Sequence, residues 1–481
     1  MDWIRTSDLL HPMQTRYRTA LPPEIINPGY HLLNRYHLSF ANIPECKQNF
    51  QAILHKILLL TMTILVRKAL IIDPLSPHNN SVKDIFIKDG LIETIQENFS
   101  GNADTVIEQE DIILSPGWID IFSNFCDPGY EHKETLSTGA NAAAAGGFTK
   151  VCVIPNTNPV ADSKSQIEYI VQKAKELPVK IYPLGALTKG CSGKELAEMY
   201  DMKNSGAIAF TDGTNPVQSS GLLLKALQYV KAFDGTVIQI PIDKSLSGHG
   251  LMNEGITSTQ LGLPGIPALA EELIIKRDIE LVKYTGSKIH FTGVSTAKSI
   301  ELIKQAKSDG LNVSCSVTPY HLFFSEEDMT GYDTNLKVSP PLRTKADVAA
   351  LKQAVLNGDV DCIATHHFPQ HWDNKVVEFE YAKDGMIGLE SAFALVNSAI
   401  PRLTTDQIVQ LFCLNCSKVL QVMSSSIVEK ATAELTLFTR KGKFIFEKEN
   451  IKSKSSNTPV IGMHLSGKVI GIINKGKVFL N

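Results

Sequence analysis

The sequence predicts an α/β fold with a parallel barrel at its centre. Strand-like apolar runs, Lys150 to Ile154 and Val360 to Ala364, alternate with helical ones such as Leu222 to Ala232 and Ala297 to Ser308. That alternation is the repeating βα unit of a parallel sheet. Both ends of the chain carry a different pattern, short runs with alternate residues apolar, which reads as hairpins. At 481 residues, 43% of them hydrophobic, the chain can bury a barrel core of about 250 residues and still carry an appendage.

Residues 1–61 look foreign to the rest of the chain. They hold Arg5, Arg16, Arg18 and Arg35, several prolines, and no sustained period before the apolar run Ile57 to Leu65. That run is far short of the roughly 20 apolar residues that cross a bilayer. The segment Trp3-Ile4-Arg5-Thr6-Ser7-Asp8-Leu9-Leu10 resembles leaders created when a start codon is read upstream, inside a transfer-RNA gene. The expectation is an extraneous or disordered extension, with the working chain starting at Met62. A targeting arm is disfavoured, because acidic residues and prolines interrupt any amphipathic helix.

From Thr63 to Leu114, Ile85, Ile87, Leu91 and Ile95 flank Asp89-Gly90 as a hairpin. Ala142 to Ala145 reads as a closely packed helix stretch stopped at Gly146-Gly147. No Gly-x-Gly-x-x-Gly or Walker spacing accompanies that pair, so a nucleotide loop is not indicated. Cys413 and Cys416 have the spacing of a redox or zinc pair, but they lie in the apolar helical stretch Ile408 to Val422, where small buried cysteines are ordinary core. Near the C-terminus, Ala433 to Phe438 and Val469 to Ile473, with turns at Lys441-Gly442 and Lys475-Gly476, read as further hairpins.

The formal net charge of -3 leaves no electrostatic footprint for nucleic acid. The eight cysteines are scattered and no secretory segment is apparent, so reduced thiols in a cytoplasm, with no membrane span, are expected.

Short motifs recur in a fixed order along most of the chain. They are Pro155-Asn156-Thr157-Asn158-Pro159, Asp243-Lys244-Ser245-Leu246, Asn253-Glu254-Gly255, Leu263-Pro264-Gly265-Ile266-Pro267, Val294-Ser295-Thr296, Thr318-Pro319-Tyr320-His321-Leu322, Pro340-Pro341-Leu342-Arg343 and Gly388-Leu389-Glu390. In that order they resemble the dihydroorotase family of the amidohydrolase superfamily. The resemblance implies a (β/α)8 TIM-type barrel over 115–429, with a small β-sandwich built from both chain ends, 62–114 and 430–481. It also implies a zinc site, and a reaction that opens or closes the dihydroorotate ring.

The positions that would carry that chemistry hold other residues. Where the family reads Asp-x-His-x-His-x-Arg on the first barrel strand, this chain has Phe122, Asn124 and Cys126 at the two histidines and the arginine. Residues two apart on a strand share a face, so Phe122 and Asn124 are expected to point together into the barrel mouth. A third histidine position is Ile240, and the second histidine of His-x-x-His-Val-Ser-Thr is Gly293. The aspartate of Ala-Thr-Asp-His-Ala-Pro-His is His366, in Ala364-Thr365-His366-His367-Phe368-Pro369-Gln370. Of the family's bridging carboxylate region only Asp212 remains, and the resemblance implies that Asn156 keeps the family's substrate-contacting amide.

Adding water to an unactivated amide near neutral pH needs an activated nucleophile and a stabilised oxyanion, and zinc supplies both by lowering the pKa of its water to about 7. Zinc in turn needs three or four good donors, which phenylalanine, isoleucine and glycine cannot be. No zinc or other cofactor is therefore expected. His366, His367 and His371 could seed a replacement site, yet neighbouring strand residues face opposite ways. A buried His366 filling the aspartate's place is the simpler reading. Asn156, Asp212, His321 and His366 remain as candidate ligand-binding residues, with His321 more often structural and Asp212 able to serve as a plain turn former.

Three functions follow as expectations. The first is a pseudoenzyme, homo-oligomeric and an assembly partner of aspartate carbamoyltransferase or of an active dihydroorotase. The second is an active dihydroorotase with an unorthodox site. The third is a binding module for a ligand resembling carbamoyl aspartate.

Overall fold

The computed structural model of the protein describes residues 62–481, so the reading of 1–61 as a leader lies outside the described residues. Strands from both ends join in one eight-stranded sheet. They are β1 (Thr63–Ile71), β2 (Val82–Lys88), β3 (Leu91–Gln96), β4 (Thr105–Ile107) and β5 (Ile113–Pro116), with β15 (Leu435–Ile445), β16 (His464–Asn474) and β17 (Lys477–Leu480). The order is β17-β16-β15-β5-β1-β2-β3, with β4 beside β1.

Asp89-Gly90 and Lys475-Gly476 form the expected two-residue turns, with positive φ at each residue, the geometry that matches the twist of a hairpin. Lys441-Gly442 is not a turn. β15 runs through it, and the pairing with β16 jumps from Thr439↔Lys468 to Lys443↔Ser466. Extra residues on one strand make a bulge rather than a reversal, because pairing resumes on the same partner. Ile64, Val66, Ile85, Ile87, Leu114, Leu435 and Ile473 fill this sheet's own core.

The barrel begins at once after β5. β6 (Trp118–Ser123), β7 (Phe148–Val153) and β8 (Lys180–Pro183) are parallel neighbours. Gly185 then pairs with Phe210, and Phe210 with Val237. Val237 lies in β9 (Thr236–Gln239). Two short strands, β10 (Met252–Asn253) and β11 (Gly265–Ile266), pair outside the barrel. β9 continues parallel to β12 (Lys288–Thr292), β13 (Val313–Val317) and β14 (Cys362–Ile363). Ser123 at the end of β6 pairs in parallel with His367 after β14, which closes the ring. Helices Leu136–Ala145, Lys164–Lys173, Ser220–Lys231, Leu269–Thr285, Ala297–Ser308 and Lys345–Asn357 fall between the strands, as the alternating pattern predicts.

Trp118 joins the two parts. Its ring packs 4.9 Å from Phe412 and 5.0 Å from Phe438, and its indole N–H donates to Ser115 Oγ at 3.1 Å. A Lys150–Glu434 ion pair repeats the link from β7 to the segment entering β15. Cys413 and Cys416 do not converge on a common partner. Cys413 Sγ lies 3.4 Å from Ser424 Oγ, whereas the Cys416 thiol donates to Leu411 O at 3.3 Å, and the two pack in different clusters. No helix among the described residues is long and apolar enough to cross a membrane.

Asn253, Ser295 and Arg343, from three of the short motifs, meet in one buried network. Arg343 is fully enclosed. Its Nε donates to Ser295 Oγ at 3.0 Å, and its Nη1 to Asn253 Oδ1 at 2.8 Å and Ile266 O at 3.1 Å. Glu271 accepts the backbone N–H groups of Ser295 and Thr296 at 3.0 and 3.1 Å. Arg343 Nη2 stands 3.6 Å from Glu271 Oε2, a charge contact longer than a hydrogen bond. These contacts hold loops to strands.

Candidate functional site

In this fold chemistry belongs at the C-terminal strand ends. Phe122, near the end of β6, points into the barrel among Ile154, Leu184, Ile238 and Ile240. Its ring lies 4.7 Å from that of His366, and Phe368 adds a third ring 6.1 Å from Phe122 and 5.9 Å from His366. Phe122 and His366 are 0% exposed and Ile240 is 4% exposed, so packed side chains occupy the place where ligands would converge. Aromatic pairs at such distances contribute about 0.5–1.5 kcal/mol beyond their buried area.

Asn124 departs from expectation. β6 ends at Ser123, and the Asn124 side-chain oxygen turns back to accept the Cys126 N–H at 3.0 Å. Such a local side-chain turn competes with strand continuation, so Asn124 and Phe122 do not share a strand face. Cys126 takes a left-handed φ of 58°, and burial raises its thiol pKa to about 12. Glu134 and His367 tie the same region to the C-terminal segment. His367 Nδ1 accepts Gly388 N–H at 3.2 Å, leaving Nε2–H to face Glu134 at 3.3 Å, and Glu134 also accepts from Ser453 and from Lys454 N–H. The sequence offers no signal for this link.

His366 and Gly293 are one structural event. His366 Nε2 is 2.8 Å from Thr292 Oγ1, and its ring covers the α-carbon of Gly293. A Cβ built at Gly293 would stand 2.6 Å from His366 Cε1. The imidazole missing from position 293 has thus been replaced, in volume, by one arriving from position 366. His366 Nδ1 has no hydrogen-bond partner among the described residues.

A buried chain of hydroxyls runs on from it. Thr292 Oγ1 accepts from Ser316 Oγ at 2.9 Å, and Ser316 Oγ lies 3.0 Å from His290 Nε2, whose Nδ1 is 2.8 Å from Ser314 Oγ. Burial pulls both His290 and His366 down to a pKa of about 3. An unfolded histidine has a pKa near 6.5 and so binds protons that the fold refuses. Stability therefore rises with pH from about 3 to about 6.5 for each such residue and is lost on acidification through that window. Asp212 and Asp278, raised by burial to about 6, act in the opposite sense, so the comparison must isolate one residue. Relative to a His290→Gln variant, the wild type should lose about 1.4 kcal/mol per pH unit below 6.5. Urea unfolding of both proteins at several pH values measures this, and parallel pH curves would contradict it.

The other candidates are each engaged in internal bonds. The Asp212 carboxylate accepts the Thr188 N–H at 2.8 Å and the Thr188 hydroxyl. Asn156 bridges the same turn, donating to Asp212 O at 3.1 Å and accepting Thr214 N–H at 3.1 Å. His321 sits 2.9 Å from Thr318 Oγ1 and directs Nε2 to the Pro340 and Pro341 carbonyls at 3.1 and 3.2 Å, and burial lowers its pKa to about 4. His371 lies away at the surface against Asp373.

Zinc, which the resemblance implies, does not fit these residues. Phe122 and Ile240 have no lone pair, Gly293 has no side chain, and the Phe122 and His366 rings fill the space between. Among the described residues no group of three or more His, Cys, Asp or Glu side chains is arranged to hold a metal ion.

The barrel with its appended sheet is the architecture of the amidohydrolase superfamily. The fold aligns with L-hydantoinase (dihydropyrimidinase) from Arthrobacter aurescens at a TM-score of 0.76 and 20% identity, over 87% of this chain and 96% of that one. A D-hydantoinase structure aligns at a TM-score of 0.74 and 20% identity, over 87% and 95%. The family model described as dihydro-orotase-like matches residues 111–299. The dihydroorotase of Caldanaerobacter subterraneus is 40% identical over 421 residues, 87% of this chain and 97% of that protein. That of Acetivibrio thermocellus is 39% identical over 419 residues, 86% and 98%. The chain belongs to the dihydroorotase family.

Proposed function

We propose that this family member is catalytically silent and serves pyrimidine synthesis as an assembly partner, homo-oligomeric and bound to aspartate carbamoyltransferase or to an active dihydroorotase. The observation that carries this reading is the pair of buried rings, Phe122 and His366, closing the centre of the strand-end face. Loss of one oxyanion donor alone costs roughly a hundredfold to a thousandfold in rate, and here the donors of the metal itself are gone. A barrel without that chemistry is retained through what it binds. Exposed Trp372, Val376 and Tyr381, close together in the segment after β14, offer the kind of apolar surface that assemblies cover. The cysteines of the described residues are buried and unpaired, in keeping with a reducing cytoplasm.

The test has three readouts. Protein exposed to zinc and desalted should hold substoichiometric metal, and neither dihydroorotate hydrolysis nor carbamoyl aspartate cyclisation should exceed background. Light scattering and pull-down from native lysate should show self-association and a pyrimidine-pathway enzyme. Turnover that disappears in His366→Ala would establish instead an active enzyme with an unorthodox site. A monomer that retains no pathway enzyme would favour the small-molecule binding module, with Asn156, Asp212, His321 and His366 as its residues.

A further inference from the structure

A cavity of about 660 Å³ lies away from the barrel mouth, where the end sheet meets the segment around Asn397 and Thr405. Its size is that of a small-molecule site. One side is apolar, with Leu70, Val82 and Ile113, and the lining also carries Lys68, Arg440, Lys441 and one carboxylate, Asp111.

All three cations sit on irregularities of the sheet. Lys68 lies where the pairing of β1 with β2 shifts between Val66 and Ala69, at a left-handed φ of 47°. A lysine there is strained, and strain of this kind gathers at functional positions. Arg440 and Lys441 lie in the β15 bulge, between Thr439 and Lys443. Bulges re-aim side chains, and these two bulges aim positive charge into one space.

Two of the charges have partners, Lys68 with Glu108 at 3.4 Å and Lys441 with Asp111 at 2.7 Å. Arg440 has no carboxylate partner among the described residues. Its Nε donates to Asn397 Oδ1 at 3.0 Å, while Nη1 and Nη2 make only 3.4 Å contacts with Thr405 Oγ1 and Pro401 O. A guanidinium carries five N–H donors, so two remain. Asn397 is itself fixed, donating to Ser466 O at 2.8 Å. The arginine is thus half-buried, held in place and, among the described residues, without a carboxylate counter-ion, beside an apolar wall.

We propose that this cavity binds an organic anion, its phosphate or carboxylate held by Arg440 and its apolar body against Val82 and Ile113. Paired N–H donors of a fixed guanidinium suit the paired oxygens of either group. The proposal is independent of whether the barrel turns over dihydroorotate.

Calorimetry on the full-length protein tests it, with phenyl phosphate and benzoate as probes, inorganic phosphate as the bare ion and benzyl alcohol as the neutral control. The expected result is saturable binding of phenyl phosphate or benzoate, whichever binds tighter naming the head group, with weaker binding of inorganic phosphate and none of benzyl alcohol. Arg440→Gln should weaken it about tenfold or more, the loss of one charge-assisted contact. Val82 is 53% exposed, so Val82→Glu should fold normally and abolish binding by repulsion. Absence of saturable binding by both organic probes, or binding unchanged in both variants, would overturn the proposal. Inorganic phosphate binding as tightly as phenyl phosphate would overturn the role of the apolar wall.

Discussion

Gly293→His should be among the most destabilising substitutions in the barrel, and His366→Asp should rescue it. The backbone at Gly293 has a φ of 73°, which costs an L-residue about 1–2 kcal/mol. The new Cβ would also stand 2.6 Å from the His366 ring, and overpacking of that kind costs about 1–3 kcal/mol. The single variant should therefore lose about 2–5 kcal/mol in urea unfolding. The double variant, which restores the family's residues at both positions, should recover the overpacking share. Strict additivity of the two changes would mean the rings do not compete for one volume. The double variant should still not turn over dihydroorotate, since Phe122 and Ile240 supply no ligand.

Arg343→Met should cost about 3–5 kcal/mol, the usual consequence of removing one partner of a buried ion pair. Glu271 would keep its Ser295 and Thr296 donors but lose its countercharge, and the Asn253 and Ile266 acceptors would lose theirs. Replacing Glu271 with glutamine as well should return part of the loss, because its amide oxygen still accepts the Ser295 and Thr296 N–H groups while no stranded charge stays buried. A loss under about 1 kcal/mol would place the pair among interactions that stability does not feel.

Both effects rest on contacts that the sequence marks without explaining. Asn253-Glu254-Gly255, Val294-Ser295-Thr296 and Pro340-Pro341-Leu342-Arg343 read as separate signatures of kinship, and the fold makes parts of each into the surroundings of one guanidinium. Asn124 is legible as a missing imidazole but not as a turn, since its bond to the Cys126 N–H competes with a strand pattern that continues past it. Lys441-Gly442 reads as a hairpin because glycine at positive φ serves turns and bulges alike. Only the partner strand tells them apart.

What the sequence determined by itself is what single positions and short periods carry. The βα alternation, the hairpins at Asp89-Gly90 and Lys475-Gly476, the family, and the absence of lone pairs at Phe122, Ile240 and Gly293 all follow from residue type and local spacing. The tertiary structure alone decided what fills the vacated site. Residues 293 and 366 are far apart in sequence, and the His366 ring meets the Gly293 backbone because β12 and β14, whose ends carry them, flank the same strand, β13. The same packing fits the His366 ring into the space that the absent side chain at Gly293 leaves, a coupling of volumes that no local pattern records.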